Sequence, residues 1–446
     1  MQRLILVQSN EEIMPIGGLS LVGALLDKTG LNERLNKVPV KDLSNIRISN
    51  SDIIRSYLGL LCQGKNDFQY IEEFREDPFF EVSLGLDKVP SCSRLRQRMD
   101  LAPEVFKTII KEESADLLRA MNIKLTPCAD NYIPLDIDVS PFDNSGTKKE
   151  GVSYTYKKFD GYAPIFAYLG VEGYCVNVEL RQGSQHCQKD TPEFLRKSIK
   201  YSKAITSNPL LLRADSGNDA TDNIAVCKEE DVDFIIKRNL RKESKELWLK
   251  IAQEKGEKTQ LREGKILYLG KQKVNLKLKV KDQTKEIGVF QVFEVTKTTI
   301  ADDGQYMLVP EIEVNCYWTS LYYDADKIVE LYHKHGTSEQ FHSEIKSDLD
   351  LERLPSGKFK TNDLILHLGV FAYNILRLIG QSSLKDRNAP IQKKVRRRRL
   401  KSVIRDMILM AAKLVKHAGS YFVKFGKRCK WFPVIRNVYD SIVLKC

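Results

Sequence analysis

The sequence of residues 131–142, NYIPLDIDVSPF, decides the fold class of this chain. Apolar residues alternate with Asp136 and Asp138, which predicts a β-strand that carries both acids on one face. Segments with strand, strand, helix, strand and strand patterns follow at residues 162–168, 174–180, 191–205, 209–215 and 233–238. With a further helix before the last strand, this order of elements predicts an α/β core.

The rest of the chain divides around this core by its pattern of apolar residues. Residues 1–125 show helical spacing, 240–322 are β-rich, and 362–380 form a helix apolar nearly all round, which is typical of a buried helix. The predicted parts are a helical N-terminal region, a first core segment, a β-rich insertion, a second core segment and a basic helical C-terminal region, at 1–125, 126–239, 240–322, 323–385 and 386–446.

Composition limits the classes of function. The 446 residues are 42% hydrophobic and 29% charged, as in globular proteins, and the net charge of +12 suggests a nucleic-acid partner, with a merely basic soluble protein as the alternative. The nine cysteines form no CxxC pair, so a zinc finger is not expected and a reducing cytoplasm is favoured. No signal peptide and no apolar run of membrane-spanning length is recognised, so no membrane partner is expected.

Two basic segments are candidates for contact with DNA phosphates. Residues 90–100, PSCSRLRQRMD, predict a helix capped by Ser93 that presents Arg94, Arg96 and Arg98, as in a helix-turn-helix. Residues 393–405, KKVRRRRLKSVIR, predict a helix with one packed face and one phosphate-binding face. Its candidate contacts are Arg396, Arg397, Arg398 and Arg399. For both segments the alternative is an ordinary solvated surface.

Acidic residues at strand ends suggest metal-dependent phosphodiester chemistry. Such chemistry uses two ions about 3.5–4 Å apart, and Mg²⁺ prefers carboxylate oxygens. Asp138 is the first candidate, with Asp136 on the same strand face as its alternative. Asp215 is the second, because it ends the apolar strand LLLRAD, where α/β folds place ligands. A surface turn is the alternative setting for either acid.

A third candidate lies in residues 332–349, YHKHGTSEQFHSEIKSDL. Gly336 is expected to end one helix, and Thr337 with Gln340 fits a capping box for the next. Helical spacing puts Glu339, His342 and Lys346 on one face, with Glu339 at the edge of the buried side. An ordinary exposed acid is the alternative. A zinc site at His333, His335 and His342 is less favoured, because no matching Cys or carboxylate spacing accompanies it.

These three segments together resemble the DDE transposases of bacterial insertion sequences, in particular members with a β-rich insertion before the catalytic Glu. The first block is Asp138-Val139-Ser140 and the second is Arg213-Ala214-Asp215-Ser216-Gly217. The third is similar to the family's Tyr-Arg-Glu-Lys signature and consists of Tyr332, His335, Glu339 and Lys346. The chain departs from the family at Ser140, where Thr is usual, and at His335, where Arg is usual.

The resemblance implies an RNase H-like core in which Asp138, Asp215 and Glu339 are catalytic and hold two Mg²⁺ ions, with Mn²⁺ expected to substitute. It implies double-stranded DNA with terminal inverted repeats and a target DNA as partners, a homodimer on paired ends, and a place in the bacterial cytoplasm at the nucleoid. Tyr332, His335 and Lys346 would contact DNA. Trp318 would stack on a flipped base, or else be a core residue of its strand.

Two other functions remain open from the sequence. An RNase H-like nuclease or resolvase would cut DNA without joining it, and strand transfer of a pre-cut end would separate it from a transposase. A non-catalytic DNA-binding protein derived from a transposase is the second alternative. All three acids are present, which argues against a binding-only role.

Overall fold

The computed structural model of the protein describes residues 4–8, 10–39, 47–280, 283–392 and 394–444. The chain forms two compact units that are interleaved along the sequence. The helical unit contains Met1–Ile123, Phe142–Val152 and Ser343–Cys446, and the sheet unit contains Lys124–Pro141 and Ser153–His342. The five-part division expected from the sequence stays a prediction.

The helices and strands follow each other in a clear order. The helices are α1 (Leu19–Leu26), α2 (Leu31–Asn36), α3 (Asn50–Leu61), α4 (Pro78–Leu84), α5 (Cys92–Leu101), α6 (Pro103–Ala120), α7 (Thr191–Ile205), α8 (Thr221–Glu229), α9 (Lys245–Lys255), α10 (Ala325–His333), α11 (Ser338–Ser343), α12 (Phe359–Leu384), α13 (Leu400–Val403) and α14 (Phe432–Val443). The strands are β1 (Ile133–Val139), β2 (Phe142–Asp143), β3 (Ser153–Tyr154), β4 (Asp160–Tyr162), β5 (Ile165–Leu169), β6 (Tyr174–Glu179), β7 (Leu210–Ala214), β8 (Asp233–Lys237), β9 (Glu257–Arg262), β10 (Lys265–Val280), β11 (Gln283–Ile300), β12 (Tyr306–Thr319), β13 (Ala412–His417) and β14 (Ser420–Phe425).

The sheet unit is built on one large mixed sheet with the order β6-β5-β1-β7-β8-β12-β11-β10-β9. β5 is antiparallel to β1, and β6 is antiparallel to β5. β7 is parallel to β1, and β8 is parallel to β7. The connections between β6, β7 and β8 contain α7 and α8, because a crossover between parallel strands needs a helix's length of chain. The α/β class and the order of core elements expected from the sequence are confirmed.

The β-rich stretch forms strands that extend this same sheet. β12 pairs with β8, the last strand of the core part of the sheet, with Tyr317 opposite Lys237 and Thr319 opposite Ile235. β11 and β10 follow as a long antiparallel pair. A helix within the stretch, α9, was not predicted; its buried Trp248 packs in one cluster with Phe293. The long strands are therefore attached to the core sheet by continuous hydrogen bonding.

The helical unit is centred on α12, whose side chains are buried along most of its length. α6 packs against it, and Asn374 of α12 donates a hydrogen bond to Ser114 of α6 at 3.1 Å. Among the described residues, α12 is the one helix that is long and apolar enough to cross a membrane, and its most apolar stretch is completely buried. The buried helix expected at 362–380 is thus confirmed as a core helix.

The C-terminal region differs from the helical prediction. Residues 394–399 are not helical, and α13 begins only at Leu400. The backbone carbonyls of Arg396 and Arg398 accept hydrogen bonds from Gln381 and Arg377 of α12, so they are engaged outside any helix. Farther on, β13 and β14 form a hairpin, because Ala418 and Gly419 both have positive φ (46° and 78°), as a two-residue hairpin turn requires.

Candidate active site

Asp136 on β1 is a deeply buried carboxylate of the sheet unit, and it is paired. Arg213 on β7 donates to both of its oxygens, at 2.7 and 2.8 Å, and both side chains are 2% exposed. His335 Nδ1 lies 3.1 Å from Asp136 Oδ1. Burial opposes ionisation, but the charges of Arg213 and His335 lower the pKa of Asp136. Asp136 is therefore committed to an internal ion pair, which makes it a poor alternative to Asp138 as a metal ligand.

The same pairing fixes where the candidate catalytic acids lie. β1 and β7 run parallel, with Asp136 opposite Arg213 and Ile137 opposite Ala214. Side chains alternate along a strand. Asp138 and Asp215, two residues after Asp136 and Arg213, therefore return to the face that carries the ion pair. Neighbouring strands lie about 4.8 Å apart. Two carboxylates from adjacent strand ends thus share one face of the sheet.

Asp138 is held by hydrogen bonds from α11. Ser338 Oγ donates to Asp138 Oδ2 at 3.0 Å, and His342 Nε2 lies 3.1 Å from the same oxygen. On the far side of the imidazole, the Tyr168 hydroxyl lies 3.1 Å from His342 Nδ1. Burial opposes ionisation, but His342, His335 and the Ser338 hydroxyl lower the pKa of Asp138. A buried chain of Tyr168, His342 and Asp138 therefore fixes this carboxylate as an anion.

Asp215 has the opposite electrostatic character. It follows β7 directly, and Asn218 Nδ2 donates to its Oδ1 at 2.6 Å. Burial and the negative charge of Asp138 raise the pKa of Asp215. Two like charges on one face repel each other, and a divalent cation between them would relieve that repulsion. The pair is thus chemically suited to hold such an ion.

Glu339 is exposed and lies on α11 next to Ser338, which contacts Asp138. The face of α11 that meets Asp138 carries Ser338 and His342, which are four residues apart. In the described part of the chain, no group of three or more His, Cys, Asp or Glu side chains is assembled to hold a metal ion. Convergence of Glu339 with Asp138 and Asp215 therefore stays a prediction.

One α-helix ends and another begins before Glu339, as expected, but the predicted capping box at Thr337 is wrong. Lys334–Thr337 form a 3-10 turn that links α10 to α11. The Thr337 hydroxyl donates to the Lys334 carbonyl at 2.9 Å rather than capping a new helix. A π-helical turn at Glu344–Asp348 then alters the spacing beyond α11. For that reason Lys346 does not continue a regular helical face with Glu339.

The signature residues expected to contact DNA have different environments. His335 is 6% exposed and faces Asp136, so its predicted contact with DNA is wrong for this conformation. Tyr332 is half-buried, with its ring 4.7 Å from that of Tyr317. Lys346 belongs to the helical unit, and its Nζ lies 3.7 Å from Glu352. DNA contact by Tyr332 and Lys346 stays a prediction.

Trp318 is a core residue of β12. It is 8% exposed, its indole Nε1 donates to Asp219 Oδ1 at 3.0 Å, and the Arg238 guanidinium lies 5.0 Å from its ring centroid. A base could not stack on a ring that is covered in this way. The stacking role is wrong for this conformation, and the core alternative is correct.

The N-terminal basic helix presents fewer arginines than expected. Ser91, not Ser93, caps α5. Arg98 is 6% exposed, and its Nη1 donates to Asn50 Oδ1 at 2.6 Å. Arg98 is therefore a structural residue, and its predicted DNA contact is wrong. Arg94 is exposed and stays a candidate.

The C-terminal arginines are also partly committed to internal contacts. Arg398 is buried, donates to Asp406 Oδ2 at 2.6 Å and lies 4.4 Å from the Trp431 ring centroid. Arg399 donates to both oxygens of Asp348 while remaining 53% exposed. Arg397 is half-buried, and Arg396 is exposed. The four arginines thus do not form one phosphate-binding face; Arg396 is the best placed, and Arg398 is structural.

Sequence reasoning missed the residues that support the two acids. Ser338 and Tyr168 resemble ordinary helix and core residues, and the sequence suggested His342 only as a neighbour of Glu339 on one helix face or as a zinc ligand. The Asp136–Arg213 pair carried a usable signal, since the segments Asp-x-Asp and Arg-x-Asp align when their strands are paired in parallel. That alignment places Asp136 opposite Arg213 and, two residues farther along, Asp138 beside Asp215.

The family of this chain is shown by a family model that matches almost all of it. A family model described as "Transposase DDE domain group 1" matches residues 6–445. The chain is also similar to the solved structure described as "Cryo-EM structure of piggyBac transposase synaptic complex with hairpin DNA", at 13% identity and a TM-score of 0.39. That match covers 96% of this chain and 79% of the other. No curated protein matches the chain.

Proposed function

This chain belongs to the DDE transposase family, whose model spans nearly all of it, and from that premise we propose that it moves an insertion sequence by cut-and-paste transposition. It cleaves DNA at the terminal inverted repeats of its element and transfers the freed ends to a target DNA. Asp138, Asp215 and Glu339 are the catalytic residues of both steps.

The observation that carries the proposal is the pair of carboxylates on the adjacent parallel strands β1 and β7. Asp138 follows Asp136 on one strand and Asp215 follows Arg213 on the other, and Asp136 lies opposite Arg213. The buried Asp136–Arg213 ion pair fixes this register, so the acids of the site are positioned by the core of the sheet. Rigid elements hold a catalytic geometry more accurately than loops do.

The topology of the sheet supports an RNase H-like core. Two antiparallel strands, β6 and β5, lie on one side of β1, and two parallel strands, β7 and β8, lie on the other. The acids lie at the carboxyl ends of the central pair, where open α/β sheets bind ligands. Strands β9–β12 are consistent with the β-rich insertion that the family resemblance implies.

The carboxylates fit divalent cations. The hydrogen bonds to Asp138 keep it anionic. Burial and the charge of Asp138 both raise the pKa of Asp215. The pair therefore attracts positive charge. We propose that Asp138, Asp215 and Glu339 hold two Mg²⁺ ions, for which Mn²⁺ would substitute. When bound, the ions would activate the attacking water or 3′-hydroxyl and stabilise the leaving oxygen.

The protein's own contribution is to orient these acids before DNA arrives. Ser338 and His342 fix one oxygen of Asp138, and Asn218 fixes one oxygen of Asp215. Small displacements of such groups are costly, because catalysis depends on near-attack geometry. Exposed Glu339, one residue after Ser338, would complete the site when DNA and ions bind.

The proposed partners are two inverted-repeat ends and a target duplex, held by a homodimer in the bacterial cytoplasm at the nucleoid. The net charge of +12 favours binding to DNA phosphates. Exposed Arg94 and Arg396 are among the residues expected to contribute.

The test is cleavage of a DNA fragment that carries the inverted repeats flanking the gene. The wild-type protein should release the element in Mg²⁺ and not in EDTA, and Glu339→Gln should be inactive. Glu330→Gln is the matched control, because Glu330 is an acid of α10 that pairs only with surface lysines in the contacts described here. Release of the element by Glu339→Gln at the wild-type rate would refute the assignment of Glu339.

A further inference from the structure

A cleft of about 710 Å³ opens beside Asp215 within the sheet unit. Its walls include Asp215, one of the two paired acids, and Val139, which follows the other acid, Asp138. The turn that joins β3 to β4 forms another part of the wall. The volume is in the range of sites for small ligands, about 300–1,000 Å³. A cleft of this volume has room for a single nucleotide rather than for several base pairs of a duplex.

The end of β3 and the turn after it supply aromatic surface that has no role in the core. Tyr154 and Tyr156 both line the cleft, and each is 61% exposed. Exposed aromatic rings are the surfaces on which unpaired bases stack. The Tyr156 hydroxyl donates to the Val139 carbonyl at 3.1 Å, so this ring is fixed next to the strand that carries Asp138. Partial desolvation and the charges of Asp138 and Asp215 raise the pKa of the Tyr156 phenol, which is consistent with that position.

Positive charge accompanies these rings. Lys157 and Lys158 are exposed in the same turn, and Lys157 Nζ lies 5.7 Å from the Tyr156 ring centroid. Arg181 belongs to the cleft wall and is 2% exposed. Its Nε and Nη1 donate to Glu179, Cys187 and Thr191, but its Nη2 has no acceptor among the residues described. Aromatic rings interleaved with cations are typical of single-stranded nucleic-acid sites.

The cleft is formed without a ligand. Ser153 Oγ accepts a hydrogen bond from the Ser184 backbone at 2.9 Å, which ties β3 to the opposite wall. Gly183 lies so close to the turn that a Cβ there would approach the Ser153 carbonyl to 2.1 Å and the Gly161 carbonyl to 2.4 Å. Only glycine allows the two walls to meet in this way. The backbone of the cleft walls and the Tyr156 ring are therefore held in place before a substrate binds, which lowers the cost of binding.

We propose that this cleft binds one unpaired nucleotide of the DNA substrate beside Asp215, with its base stacked on Tyr154 or Tyr156 and its phosphate near Lys157 and Lys158. The inference rests on the proposed function, because it makes the cleft the place where the DNA strand is held for chemistry. It assigns to the β3–β4 turn the base-stacking surface that buried Trp318 does not provide.

The test uses the full-length protein and a tetranucleotide that contains 2-aminopurine, whose fluorescence is quenched on stacking, with Ca²⁺ in place of Mg²⁺. The wild type should bind and quench the probe, and at least one of Tyr154→Ala and Tyr156→Ala should weaken binding by roughly 5- to 150-fold, the effect of one lost stacking contact. Tyr156→Phe keeps the ring and should bind within about twofold of wild type. Tyr306→Ala is the matched control, because Tyr306 is 80% exposed and lies in β12 outside the cleft lining.

Thermal unfolding shows whether each variant is folded, and Tyr156→Phe reports the loss of the Val139 hydrogen bond separately. Unchanged probe binding by folded Tyr154→Ala and Tyr156→Ala would overturn the proposal, as would equally tight binding of a blunt duplex in competition with the probe. Binding to a peptide library in place of the tetranucleotide would overturn it too. If the wild type cuts inverted repeats while these variants bind the probe normally, the cleft proposal alone fails; if the wild type binds the probe but cuts no inverted repeat, the proposed function fails.

Discussion

Asp136 and Asp138 lie two residues apart on one strand face, yet their partners give them different roles. Asp136 is closed into a buried pair with Arg213, while Asp138 receives hydrogen bonds from an adjacent helix and remains 18% exposed. Buried ion pairs contribute little net stability, but removing one partner leaves an uncompensated charge. The first acid therefore holds the register of β1 and β7, and the second is available to substrate.

Replacing Arg213 by Met should destabilise the protein by about 3–5 kcal/mol, because Asp136 would remain buried without its main partner. The double variant Asp136→Asn with Arg213→Met should recover part of that loss, since it removes the unpaired charge. Urea unfolding of the two single variants and the double variant measures the effect. Additive losses in the double variant would contradict the pairing as the source of the effect.

Replacing Asp215 by Asn should abolish cleavage and leave DNA binding near the wild-type level. The substitution removes a ligand charge, while phosphate contacts by lysine and arginine persist. Gel-shift titration and an end-cleavage assay measure the two properties, with Asp222→Asn on the exposed face of α8 as control. A variant that nicks DNA near the wild-type rate would remove Asp215 from the site.

At the scale of elements, α6 and α12 are joined by a buried acid. Lys107 of α6 donates to Asp363 Oδ2 of α12 at 2.8 Å, and His367 Nδ1 lies 3.4 Å from Asp363 Oδ1. Burial opposes ionisation, but His367 and Lys107 lower the pKa of Asp363 well below its ordinary value. A lowered pKa stabilises the fold above the unfolded-state pKa of about 3.9 and loses this contribution as pH falls through the folded-state value.

Asp363→Asn should therefore cost about 1–3 kcal/mol at pH 7, as expected for loss of a charged hydrogen-bond partner. It should also make stability fall less steeply between about pH 4 and pH 2 than in the wild type. Urea unfolding across this pH range measures both effects. An acid limb as steep as that of the wild type would show that Asp363 is not the titrating group.

The basic segment before α13 gives a contrast between neighbouring arginines. Arg396→Ala should flatten the log–log dependence of DNA affinity on salt by about 0.9, the value of one phosphate contact. Arg398→Ala should leave that slope unchanged and instead lower stability by about 1–3 kcal/mol, because Asp406 loses a buried partner. Binding at several salt concentrations separates the two. An unchanged slope in Arg396→Ala would mean that this segment is only a solvated surface.

Most of the core elements could be predicted because their signals are local. The alternation around Asp136 and the apolar run before Arg213 report burial directly, and they predicted β1 and β7. The hairpin of β13 and β14 was missed because its charged residues obscured the alternation of apolar residues. The turn at Ala418 and Gly419 was the clearest signal of the hairpin.

The site was predictable only in part, for a different physical reason. Its acids are recognisable by type and position, but their support depends on contacts between distant segments. His342 meets Asp138 across 204 residues of sequence, and Arg98 meets Asn50 across 48. Whether an arginine faces DNA or a buried acceptor depends on tertiary packing, which spacing along one helix does not encode.

At the scale of the whole molecule, transposition needs two properties: attraction to DNA, and a pair of acids that can act only with cations. The chain's net charge of +12 favours long-range attraction to DNA, while the paired acids Asp138 and Asp215 would repel phosphate without cations. Binding to DNA should therefore persist when divalent ions are removed, and chemistry should not. Cut-and-paste transposition must also hold both element ends, which is why the proposed active form is a dimer.

The most direct test of the central claim is strand transfer of a pre-cut inverted-repeat end into a supercoiled plasmid in Mg²⁺. The account predicts that the wild type joins the 3′-hydroxyl end to the plasmid, and that Asp138→Asn and Asp215→Asn bind the same end but form no joined product. A wild-type protein that cuts its ends yet never joins them would be a nuclease or resolvase, and joining by either Asn variant at the wild-type rate would contradict catalysis by the paired carboxylates.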